Sequence, residues 1–227
     1  MPDEQVDTWV MPVVHRAFRR TFRAAPLWIG SVAAGDRERA EFVGHHLKLV
    51  VDGLHHHHSS EDDLLWPVLL QRVTLHTELV HRMEAQHKQL HVSLERINTL
   101  LPGWRATGDV VTGRELAGEF EMAAPVLNEH LAEEESEILP LASAHVTQAE
   151  WDAMGEQARS GSPKGRDGFF GLGELMQDTN PKERALFLAE LPAPVRIMWR
   201  LFGKGIHERT REKLYAGVPQ PHPNGHP

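Results

Sequence analysis

Two stretches of the chain decide its fold: Leu54-His55-His56-His57-His58-Ser59-Ser60-Glu61-Asp62-Asp63-Leu64-Leu65-Trp66-Pro67 and Leu127-Asn128-Glu129-His130-Leu131-Ala132-Glu133-Glu134-Glu135-Ser136-Glu137-Ile138-Leu139-Pro140. Each sets a histidine four residues before a glutamate (His57 and Glu61, His130 and Glu134) and a proline six further on, so that matching positions lie 73 residues apart. Four residues turn an α-helix by about 400°, which leaves each His and Glu one turn apart on a common face. That face is otherwise apolar. It reads Leu47, Val50, Leu54, then 57 and 61, then Leu64 in the first case, and Leu116, Phe120, Ala123, Leu127, then 130 and 134, then Ile138 in the second. Polar side chains interrupt two stripes that ought to be buried.

Two further helical stripes each carry one histidine. Met11, Val14, Phe18, Phe22, Ala25 and Ile29 enclose His15, and Val80, Met83, Leu90, Leu94 and Ile97 enclose His87. From residue 6 to 145 the apolar period is that of a helix, with Gly and Pro confined to a few breaks. The expected fold is all-α, an up-down-up-down four-helix bundle with helices at about residues 7–34, 37–71, 74–101 and 112–145. Gly35 is expected to cap the first helix and Asp36 to open the second, Pro26 and Pro67 to kink them, Pro102-Gly103 to end the third, and Thr112-Gly113-Arg114-Glu115 to open the fourth as a capping box. Residues 1–146 are taken as the bundle and 147–227 as a short-helix C-terminal extension. In the extension, Thr147 and Asn180 begin helices and 160–168 forms a loop. The apolar run 186–202 packs on the bundle or on another subunit, and 217–227 is frayed.

Composition narrows the function. The 227 residues hold 24 Lys plus Arg against 32 Asp plus Glu, a formal charge of −8, which repels a phosphate backbone. No apolar run reaches the roughly 18 to 20 residues that span a bilayer, and the first residues do not read as a secretion signal. A cytoplasmic protein with neither nucleic acid nor membrane as partner is expected. There is no cysteine but there are 16 histidines, so any metal chemistry belongs to imidazole and carboxylate.

Burying two carboxylates without partners costs several kcal/mol each, and no Lys or Arg occupies a matching stripe position. A metal resolves that cost. Imidazole with carboxylate suits iron, manganese or zinc, and two carboxylates able to bridge suit a dinuclear centre. A ferritin-like di-iron bundle would need Glu-x-x-His on two helices. Here Glu78-x-x-His81 and Glu84-x-x-His87 fall on one.

His15, His57-x-x-x-Glu61, His87 and His130-x-x-x-Glu134, in that order and with prolines after both paired motifs, resemble the hemerythrin (HHE cation-binding) family over about residues 7–145. The tail, with Leu191-Pro192-Ala193-Pro194-Val195-Arg196 and Trp199-Arg200-Leu201-Phe202, is similar to the C-terminal extension of actinobacterial hemerythrin-like proteins. The resemblance implies two iron ions with an oxo or hydroxo bridge, His15, His57, His87 and His130 as terminal ligands, and Glu61 and Glu134 as bridges. It also implies dioxygen, hydrogen peroxide or nitric oxide as small ligands. Two departures stand out: Met83 occupies the place where oxygen carriers have a second histidine on the third helix, and Glu134 stands four residues after its histidine where carriers have an aspartate at five. On that ligand set about two of some twelve coordination positions stay open. His58 and His91 are candidate additional ligands or donors behind the ligands, and Met83 is a core residue or a neighbour of the metal. Glu133 and Glu135 read as a solvated acidic face, and His45, His46, His76, His81, His145 and His207 have no assigned partner. The implied activity is catalase-like peroxide decomposition or redox and nitrosative defence. The alternative is a dioxygen, nitric oxide or iron binding or sensing module without turnover.

Overall fold

The computed structural model describes residues 5–218, and these are all-α. Four long helices form the bundle: α1 Val10–Gly30, α2 Arg37–Leu64, α4 Thr77–Thr107 and α5 Val110–Glu133. The short α3 Trp66–Arg72 follows α2 after a break at Leu65, and α5 continues through a widened π-type turn, Glu134–Ile138, into α6 Leu139–His145. Helix α1 packs on α5 and α2, and α4 packs on α2 and α5, so sequence neighbours alternate in direction around one core.

The breaks differ in detail from their sequence signals. Helix α1 stops at Gly30, and Gly35 serves the following turn. At φ +75° its N–H donates to the Gly108 carbonyl (3.1 Å), while Gly108, at φ +61°, lies so near Asp36 that a Cβ would stand 3.1 Å from its backbone. The two turns at this end of the bundle thus hold each other. Pro102 does not end α4. The apolar stripe runs on through Leu101 and Trp104, both fully buried, and their packing carries the helix past the lost hydrogen bond. Asp109, rather than Thr112, opens α5, accepting from the Thr112 amide at 2.8 Å, whereas Asp36 caps α2 as its sequence implies.

The core has two apolar layers. One contains Phe22, Leu47, Leu54, Leu90, Phe120 and Leu127; the other contains Met11, Leu65, Trp66, Met83 and Ile138. On every bundle helix the interrupting His and Glu residues fall between them.

The extension comprises α7 Gln148–Ser160, α8 Gly165–Met176, α9 Pro181–Glu190, α10 Ala193–Met198, a second widened turn Trp199–Gly203, and α11 Lys204–Tyr215. The loop expected over 160–168 shrinks to four residues, 161–164, because α8 already begins at Gly165. Helix α7 packs on α2, α8 on α1, and α11 on α8. Arg16 pairs with Glu183 at 2.7 Å and Arg20 with Glu174 at 2.9 Å, tying the extension to the bundle. The run 186–202 does not pack as a whole. Trp199 turns inward, but Ile197, Met198, Leu201 and Phe202 stay exposed. Of the segment expected to fray, 219–227 lies outside the described residues.

The capping assignment is testable. Asp109→Ala should lower unfolding free energy by about 1 kcal/mol, while Glu115→Ala should stay within about 0.5 kcal/mol. Equal losses in chemical denaturation would return the cap to Thr112.

Candidate metal centre

Helical phase brings the residues together. His15 from α1, His57, His58 and Glu61 from α2, His87 from α4, and His130 from α5 with Glu134 at the start of the widened turn are all buried in the layer between the apolar clusters. They form two groups, His15, His57, Glu61 and Glu134, and His58, Glu61, His87 and His130, with the candidate ligand atoms of each group within 4.8 Å of one another. Glu61 belongs to both: one oxygen lies 3.3 Å from His57 Nε2 and the other 3.4 Å from His87 Nε2. Glu134 Oε2 lies 3.4 Å from His15 Nε2 and 3.7 Å from His130 Nε2, so it also reaches across.

The polar atoms in this layer lack protein partners. All four oxygens of Glu61 and Glu134, with Nε2 of His15, His57 and His58, are buried without a hydrogen bond. Left unmade, each such group costs on the order of 1–3 kcal/mol. Burial, and then the neighbouring Glu134 charge, pushes the Glu61 carboxyl well above its usual range, and burial raises Glu134 as well. Burial and the surrounding imidazoles push His57 and His58 far down and His130 to about 2. His57, His58 and His130 therefore do not neutralise the carboxylates as cations.

Hydrogen bonds outside the layer fix which nitrogen faces it. Arg82 donates to Glu133 (2.6 Å), Glu133 also accepts from Gln86 Nε2 (3.0 Å), and the Gln86 oxygen is thereby turned to accept from His130 Nδ1 (3.0 Å). Asp62 accepts from Trp66 Nε1 (2.9 Å) and from His87 Nδ1 (2.7 Å). With both Nδ1 protons committed, the Nε2 atoms of His87 and His130 present lone pairs to each other at 3.1 Å. A shared proton or a metal ion relieves that contact, and a metal ion would also meet the unpartnered carboxylates. His15 is set in the same way: Nδ1 donates to Glu135 (2.9 Å), which Arg19 holds at 2.6 Å. The residues present therefore fit a pair of metal ions, held by neutral imidazoles through Nε2 and by two carboxylates.

The remaining sequence candidates lie as follows. His58, adjacent to His57 in the chain, stacks on His87 with ring centroids 4.1 Å apart and joins the second group. His91 instead lies at the surface, 3.3 Å from Glu95. Met83, fully buried, belongs to the apolar layer with Leu65, Trp66 and Ile138. Glu133 and Glu135 are not a free acidic face but the acceptors described above. The missed signal for Glu135 was the widened turn, which lets consecutive carboxylates, Glu134 and Glu135, bracket the single imidazole of His15. Among the histidines without assigned partners, His46 donates to the Phe42 carbonyl (2.7 Å) and His207 to Glu174 (2.8 Å).

The fold and site together define a four-helix bundle with a buried, imidazole-rich metal centre. The Hemerythrin HHE cation binding domain family matches residues 8–142, and the chain belongs to that family. The match ends before α7, so it takes in the bundle and leaves out the extension. A comparison with curated proteins and with solved structures gives no match.

His58 and His91 separate a ligand from a surface histidine. His58→Ala should retain about half the metal of the parent protein after reconstitution, and His91→Ala all of it. Elemental analysis showing equal content in the two variants would remove His58 from the centre.

Proposed function

We propose that the bundle holds two iron ions, with an oxo or hydroxo bridge, and reacts with small oxidants, with hydrogen peroxide decomposition as the leading activity. The observation that carries this reading is the pair of carboxylates, Glu61 and Glu134, whose four oxygens have no protein partner among five imidazoles. Glu61 and Glu134 would bridge, His15 and His57 would complete one ion, and His58, His87 and His130 the other. Such a pair of ions supplies one-electron steps shared between two metals when bound. Eleven or so of about twelve coordination positions are then taken, leaving about one for a small ligand.

The protein's own contribution is positioning and exclusion. Asp62, Gln86 and Glu135 hold three imidazoles by Nδ1 so that Nε2 points inward, and the apolar layers above and below keep bulk water and large reductants out. Dioxygen, hydrogen peroxide and nitric oxide are the small ligands proposed for the open position. Residues 1–146 form the reactive unit and 147–227 an accessory extension in a cytoplasmic protein. The same enclosure favours a second reading, a module that binds or senses dioxygen, nitric oxide or iron without turnover.

Purified without a tag and reconstituted anaerobically, the protein should carry about two irons per chain and evolve oxygen catalytically from peroxide. Stoichiometric ligand binding without turnover would establish the second reading. Glu61→Ala and Glu134→Ala should each lose the dinuclear centre and lower the melting temperature of the loaded protein, and the exposed Glu129→Ala should do neither. Parental iron content in both bridge variants would overturn the assignment.

A further inference from the structure

A second feature of the molecule has no part in the metal centre. Between Glu190 and Glu208 the chain carries Arg196, Arg200 and Lys204 and no carboxylate, within a protein of net charge −8. Inside this stretch Ile197, Met198, Leu201 and Phe202 are 57%, 42%, 66% and 53% exposed. Of the other exposed large apolar residues among those described, Leu27, Leu75, Val92, Met122 and Leu186 stand singly in the chain and Val110 and Val111 form a pair. Trp199 and Gly203 face inward, and a Cβ on Gly203 would strike the Trp199 ring, so the direction of the outward face is fixed by packing.

The outward residues recur at i, i+1, i+4 and i+5, which is one side of a helix. The stretch runs through the widened turn Trp199–Gly203, and Arg200 and Lys204, four residues apart, border the apolar strip in sequence. Both are exposed and make no ion pair among the described residues. Three cations of α1, Arg16, Arg19 and Arg20, by contrast each meet a carboxylate. An apolar strip edged by unpaired cations is the pattern of an element lying in a bilayer interface. Four side chains fall short of the roughly 800 Å² and 20–30 residues per partner of a stable protein interface. They suffice to enter the acyl boundary while the cations meet headgroup phosphates.

We propose that the face formed by Ile197, Met198, Leu201 and Phe202, flanked by Arg200 and Lys204, docks the protein reversibly on an anionic lipid surface. The docking is peripheral, since no helix among the described residues is long and apolar enough to cross a membrane. It departs from the sequence-based expectation of no membrane partner, which rested on the absence of a spanning segment and on total charge. The face lies on the extension, outside the family match, so the docking is independent of which oxidant the bundle handles.

Flotation of the full-length, metal-loaded protein with vesicles tests it. Vesicles of phosphatidylcholine containing about one-third phosphatidylglycerol should carry the protein at low salt, with at least about tenfold weaker partition to pure phosphatidylcholine. The double change Leu201→Ser with Phe202→Ser, and separately Arg200→Glu with Lys204→Glu, should each reduce binding by about tenfold or more while metal content and helical signal stay at the parent level. Raising the salt should release the parent protein. Absence of flotation with anionic vesicles overturns the proposal, as does undiminished flotation of both double variants. A concentration-dependent dimer abolished by the serine changes, without vesicle binding, would assign the face to a second copy of the chain instead.

Discussion

Two carboxylates in an apolar core, with no protein cation beside them, are the constraint on which the rest of this structure depends. Glu61 and Glu134 are fully buried, and nothing among the described residues hydrogen-bonds their oxygens. In hydrocarbon-like surroundings that arrangement would expel one of the helices or recruit a counterion. The local structure is built to recruit one. His57 and His58, held neutral by burial and by the neighbouring imidazoles, line the same layer, and neutral imidazole is the form that binds metal. The apolar layers on either side then act as a clamp: Leu54 and Leu127 sit one turn before the ligands of their helices, and Leu65 and Ile138 one turn after.

Orientation is distributed unevenly around the centre, with chemical consequences. His87 leans on Asp62 and His15 on Glu135, both carboxylates, which make an imidazole a more basic ligand; His130 leans on the neutral Gln86 amide. Glu135 is in turn shared with Arg19, which draws away part of its charge. The two metal groups are therefore inequivalent on three counts: two imidazoles against three, a carboxylate acceptor moderated by arginine against an unmoderated one, and α1 against α4 as the source of the lone histidine.

Much of this was legible in the chain because a helix converts spacing into direction. His15, His57, Glu61, His87, His130 and Glu134 each replace an apolar residue in a stripe of period 3.6, so their shared burial follows from arithmetic. His58 and Glu135 were not legible in that way. Each is adjacent to a stripe residue, and on a regular helix an adjacent residue points about 100° away. His58 reaches inward because α2 meets α4 on that side, where its ring stacks on His87, and Glu135 because the backbone widens at Glu134. The two echoed motifs are thus alike in sequence and unlike in backbone, one followed by a break at Leu65 and the other by a π-type turn. Helix ends were misread for related reasons. Packing of Leu101 and Trp104 outweighed the Pro102 signal, and Asp109, which precedes Thr112, was already in place to cap.

The charge distribution links the bundle to its extension. Helix α1 carries Arg16, Arg19, Arg20 and Arg23 between Asp7 and Asp36 with no carboxylate of its own, a pattern that in isolation would suggest a basic surface. Three of its four cations are spent internally: Arg19 on Glu135 beside the metal layer, Arg16 on Glu183 and Arg20 on Glu174 and Asp178 of the extension. Glu174 is itself buried and also accepts from His207, so one carboxylate joins α8, α11 and α1. His15 therefore sits on a helix whose inner face belongs to the metal centre and whose outer face belongs to the extension. A surface is basic only where its cations lack partners, and on that criterion the stretch around Arg200 and Lys204 differs from α1 despite having fewer charges.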